Sequence, residues 1–67
     1  MDVFRFKKIV QDSGLSVADL CAALQIDVST YYRKMNGGGE TFTVAQAKTL
    51  ARVLDIPPSE ASEIFLS

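Results

Sequence analysis

The chain has no histidine, no tryptophan, one cysteine, two prolines and four glycines in 67 residues. Without histidine there is no Ser-His or Cys-His nucleophile pair. A single cysteine with no histidine cannot build a structural zinc site, and it forms no internal disulfide. Carboxylates are scattered singly, with no pair spaced for acid–base work. The chain is therefore expected to be no enzyme and to take no metal, cofactor or small-molecule substrate. No apolar run approaches the ~20 residues of a membrane span. The start, Met1-Asp2-Val3-Phe4-Arg5, lacks the basic-then-apolar order of a secretory signal. With the lone thiol, these absences predict a cytoplasmic protein with no membrane partner.

What is present is globular in balance, 48% apolar and 22% charged. The length suits one domain over residues 1–67, burying only roughly 60% of the surface of the unfolded chain. No stretch alternates with period two, so no strand is predicted. Punctuation divides the chain into short helical segments, and the expected class is an all-α compact bundle of about five short helices.

The first helix is predicted from about Asp2 to Ser13, with Phe6, Ile9 and Val10 at helical spacing and Gly14 as a left-handed cap. Ser16 opens the second, with Asp19 three residues on as its capping-box partner. Leu20, Cys21 and Leu24 make its apolar stripe. Gln25-Ile26 is a very short break, and Asp27 is placed to cap a third helix from Val28 to about Asn36. Gly37-Gly38-Gly39 stops that helix. Thr43 and Gln46 form a second capping box for a fourth helix reaching about Leu54, with Ala47, Leu50, Ala51 and Leu54 on one face. Pro57-Pro58 precedes a fifth segment near Ser59 that carries Ala61, Ile64, Phe65 and Leu66.

A break of about three residues forces the second and third helices to cross steeply, as in a helix-turn-helix. Close crossing needs a small side chain, and Cys21 supplies one. Tyr31 and Met35, four apart, can hold the third helix from inside. At about 100° per residue, Ser29, Arg33 and Asn36 then face away, with Tyr32 beside them and Val28 in the first turn. Such a face can enter a major groove. Arginine reaches a guanine edge or a phosphate, serine either, and valine a thymine methyl.

Charge is segregated although the total is only −1 and the pI about 5.1. Residues 1–11 carry +2 (Arg5, Lys7 and Lys8 against Asp2), and residues 12–30 carry −3 (Asp12, Asp19 and Asp27). Residues 31–54 carry +3 (Arg33, Lys34, Lys48 and Arg52 against Glu40), and residues 55–67 carry −3 (Asp55, Glu60 and Glu63). The positive block begins in the third helix, which can orient that end toward phosphate.

Residues 16–37 resemble the helix-turn-helix of the phage Cro and repressor type, the XRE-like family. Ser29-Thr30-Tyr31-Tyr32-Arg33-Lys34-Met35-Asn36-Gly37 is similar to small phage and prophage regulators of this type, as are Phe42-Thr43 and Ile56-Pro57 leading to Glu63-Ile64-Phe65-Leu66. The likeness spans about Phe4 to Leu66. It implies a lambda-repressor-like bundle that binds double-stranded operator DNA and regulates transcription, usually as a homodimer. It implies that Val28, Ser29, Thr30, Tyr32 and Arg33 face bases or nearby phosphates, and that Ser16 and Val17 approach the backbone. It further implies that the Asn36 to Gly38 loop, Asn36 and Gly38 included, offers N–H groups to phosphate. Gln25 stands where the family often has glycine, so either it takes left-handed geometry at ~1–2 kcal/mol or the turn differs. Val17 replaces a common glutamine, and Lys34 a common apolar residue.

Plainer alternatives stand beside these readings. Cys21 is a redox thiol or, as expected here, a small core residue. Tyr31-Tyr32 is a stacking platform or one core and one surface ring. The triple glycine lacks the order of a nucleotide loop and follows a helix, so a helix end is expected. Arg33 and Lys34 are DNA contacts or solvated charges. Ile64, Phe65 and Leu66 cap the core, form a dimer patch, or both. The alternative function is a protein–protein adaptor on the same scaffold with little DNA binding, to which the acidic pI, Val17 and the apolar C-terminal segment point.

Overall fold

The structure, a computed structural model, describes residues 1–36 and 42–66. Five α-helices follow in order: α1 (Val3–Ser13), α2 (Val17–Leu24), α3 (Val28–Met35), α4 (Val44–Val53) and α5 (Pro58–Phe65). There is no strand among the described residues. The stop at Gly37-Gly38-Gly39 lies outside them.

Local chemistry sets the boundaries. Asp2 caps α1 by accepting from the Arg5 N–H at 3.1 Å, and Gly14 ends it at φ +78°. Ser16 and Asp19 close a reciprocal box. The Asp19 N–H donates to Ser16 Oγ at 3.1 Å, and the Ser16 N–H to Asp19 Oδ2 at 2.9 Å. Thr43 and Gln46 do the same at 3.1 and 2.9 Å. Three details differ from the sequence reading. Asp27 is the N-cap of α3, but its side chain makes no capping hydrogen bond. The third and fourth helices end one residue early, with Asn36 and Leu54 as C-caps. Pro57 caps α5 and Pro58 starts it, because a first-turn residue needs no N–H partner.

The turn between α2 and α3 is a Schellman motif. Gln25 takes the left-handed position at φ 57°, ψ 44°. Its N–H donates to Ala22 O at 3.3 Å and the Ile26 N–H to Cys21 O at 3.1 Å. The same motif ends α4, where Asp55 sits at φ 59° and the Ile56 N–H reaches Ala51 O at 2.8 Å. In both, the isoleucine that follows packs on the core.

α2 packs on α4 and α3, α5 on α4, and α1 on α5. Phe6, Leu20, Leu50 and Ile64 are fully buried, and Cys21, Tyr31, Met35, Leu54 and Ile56 complete the core. Phe6 lies 5.7 Å from Phe65 and 6.2 Å from Phe42, and Phe42 lies 6.0 Å from Tyr31, so rings from opposite ends of the chain are packed in series. Across α1 and α5, the Asp2 N–H donates to Ile64 O at 2.7 Å and Arg5 Nη1 to Glu63 Oε2 at 2.9 Å. Glu60 adds a second ion pair with Arg5 at 3.5 Å. Ile64 and Phe65 cap the core, whereas Leu66 is 79% exposed.

Candidate nucleic-acid interface

α3 is held from one side and bare on the other. Tyr31 and Met35 are buried one turn apart, and burial pushes the Tyr31 phenol above its usual range, keeping it neutral. Tyr32 stands edge-on to Tyr31 at 5.5 Å and is 49% exposed, so the pair is one core ring and one surface ring. Val28, Ser29, Arg33 and Asn36 are exposed. Val28 and Arg33 are separated by about 7.5 Å along the helix axis, enough to span neighbouring base pairs. Thr30 is half-buried, and its hydroxyl accepts from Arg33 Nη2 at 3.2 Å. That bond ties the guanidinium back to the preceding turn of α3.

Ser16 is exposed at the start of α2. Its oxygen accepts the Asp19 N–H, so the hydroxyl belongs to the capping box. Val17 is half-buried and packs against the core. Lys34 is half-buried with its ammonium 5.9 Å from the centroid of Phe42, a cation–π contact. Met35 fills the inward position beside it. Gly38 lies outside the described residues. Asp19, in the first turn of α2, and Asp27, the N-cap of α3, are exposed and make no ion pair among the described residues. The Asp19 carboxyl is held below its usual range, first by the Ser16 N–H and then by the Ser16 hydroxyl.

The crossing that presents α3 depends on Cys21. It is buried on α2 and accepts the Ile26 N–H through its carbonyl. Burial raises the thiol pKa, so this is an inert core thiol.

The face is a short polar helix with an arginine and an aliphatic side chain in its outer stripe, set on a capped partner helix by a tight left-handed turn. A family model described as the Cro/C1-type HTH DNA-binding domain matches residues 5–65. The chain belongs to the Cro/C1-type helix-turn-helix family. The match covers all five helices apart from the first two residues of α1. No curated protein and no solved structure matches the chain significantly. In this Cro/C1-type domain, α2 and α3 are the two helices of the motif and Gln25 is its turn. No helix among the described residues is long and apolar enough to cross a membrane.

Sequence reasoning missed one feature of this domain. A groove of about 820 Å³ lies between α4 and α5. Helical spacing identifies Ala47 and Ala51 as inward-facing, but it does not show that α5 leaves them half-covered.

Proposed function

We propose that this Cro/C1-type domain binds a specific operator in double-stranded DNA as a transcriptional regulator of phage or prophage type, with α3 in the major groove. The supporting observation is the outer stripe of α3: Val28, Ser29, Tyr32, Arg33 and Asn36 are exposed while Tyr31 and Met35 anchor the helix from behind. Arg33 reads a guanine edge, Val28 packs on a thymine methyl, and Ser29 and Tyr32 contact bases or adjacent phosphates. Thr30 contributes by fixing the Arg33 fork. The start of α2, at Ser16 and Val17, approaches the phosphate backbone, and the stretch from Asn36 to Gly38 supplies N–H groups. One module buries roughly 600–1,000 Å² on DNA, so two copies on a two-fold site, with half-sites about 34 Å apart, provide usable affinity.

The test is selection of bound fragments from a genomic pool, followed by fluorescence anisotropy on the selected duplex. Arg33→Ala is expected to weaken specific binding by about 1–3 kcal/mol, roughly 5- to 150-fold, and to relax preference at one base pair. Its melting temperature should not move, because Arg33 is exposed. Failure to select any sequence above non-specific binding overturns the proposal. An adaptor working through α5 would be indifferent to Arg33→Ala.

A further inference from the structure

The groove between α4 and α5 lies on elements other than the α2–α3 face. Its half-buried alanines, Ala47 and Ala51 on α4 and Ala61 on α5, leave room for a third backbone to come close. Val44 and Leu66 stand at its lips, 71% and 79% exposed. α4 has 10 residues and α5 has 8, so the notch is about 12–15 Å long and holds two to three turns of helix. A helix laid in such a groove buries an apolar stripe on both walls.

The charges on the rim select the occupant. Lys48 and Arg52 line the groove one helical turn apart. Both are exposed, and neither makes an ion pair among the described residues. Asp55 lies at the far end of α4. It suits the positive N-terminal end of a docked helix, which fixes the direction of docking. The exposed faces of this chain's own helices do not match. α1 presents Lys7 and Lys8 beside the single carboxylate of Asp12, and α3 presents Arg33 and Lys34 behind its N-cap Asp27, so neither offers an acidic stripe. The α5 carboxylates Glu60 and Glu63 are already engaged by Arg5. On α2, Asp19 is committed to its capping box.

We infer that the α4–α5 groove docks an acidic amphipathic helix of a partner protein, with its apolar stripe on Ala47, Ala51 and Ala61 and its carboxylates on Lys48 and Arg52. The DNA-facing helix stays free, so the partner can be carried to the operator or can act on the bound protein from the side.

The probe is a 15-residue helical peptide with leucines at i, i+3, i+4 and i+7 spacing flanked by glutamates, and a twin with every glutamate replaced by lysine. Each is titrated into the isotope-labelled chain and followed by amide shifts and anisotropy. The acidic peptide is expected to bind at least tenfold more tightly than its twin, with shifts at Lys48, Ala51, Arg52, Ala61 and Leu66. The Lys48→Glu/Arg52→Glu double variant should reverse the preference. Both positions are exposed, and thermal melting checks that the variant is folded. Equal affinity for the two peptides, no binding of either, or shifts confined to α2 and α3 overturns the inference. So does sedimentation showing the groove occupied by a second copy of the chain.

Discussion

Gln25 and Asp55 hold left-handed backbone at φ 57° and 59°, where a Cβ costs about 1–2 kcal/mol. Replacing Gln25 by glycine removes that strain but gives the unfolded chain more freedom. Gln25→Gly is therefore expected to stabilise by about 0.5–1 kcal/mol, read as a higher urea midpoint with an unchanged m-value. Cys21 makes a different prediction. Burial keeps its thiol protonated and out of reach of solvent. A thiol reagent at pH 8 should label it only as fast as the protein unfolds. Cys21→Leu should overpack the α2–α3 crossing at a cost of about 1–3 kcal/mol, measured by urea unfolding. The role of Cys21 was legible because a small apolar residue in mid-helix beside a three-residue break has few other uses. The left-handed turn at Asp55 was not read, although aspartate is among the few non-glycine residues that visit positive φ. The recurrence of Leu24-Gln25-Ile26 as Leu54-Asp55-Ile56 is the signal that was available.

Among the helices, the caps differ in what they do. Ser16→Ala and Thr43→Ala each remove a side-chain bond to a free N–H and should each cost about 1 kcal/mol. Asp27→Ala should cost less than either, since no such bond exists there. Comparing the three urea midpoints checks this order. Asp19 adds a pH dependence. Its carboxyl is held below the ordinary value of 3.8 in the folded protein. Its contribution is thus complete above that value and is lost as pH falls through the lower folded value. Asp19→Asn should flatten the acid limb of melting temperature against pH by that part. Helix starts could be read from sequence because a capping box spans only four residues. The outer stripe of α3 was readable because Tyr31 fixes one direction and the helical period fixes the rest. Two features came only from packing: the half-burial of Val17 against the core, and the bond from Arg33 to Thr30.

On the scale of the whole molecule, the informative contacts join residues far apart in sequence. Arg5 and Glu63 are 58 positions apart, and no local pattern announces their pairing. The α4–α5 groove is equally invisible, because it exists only once two helices have been set at an angle. The bond from Asp2 to Ile64 brings the backbone at the two ends of the helical array to within 2.7 Å. A short peptide splice across that seam would turn the chain into a covalent ring without bending any helix. Closing a loop of this length restricts the unfolded ensemble by on the order of 4 kcal/mol in the chain-entropy picture. The circular form should melt well above the linear one in a calorimeter. Under the proposed function its DNA affinity should be unchanged, because the seam lies at α1 and α5 and not at α3.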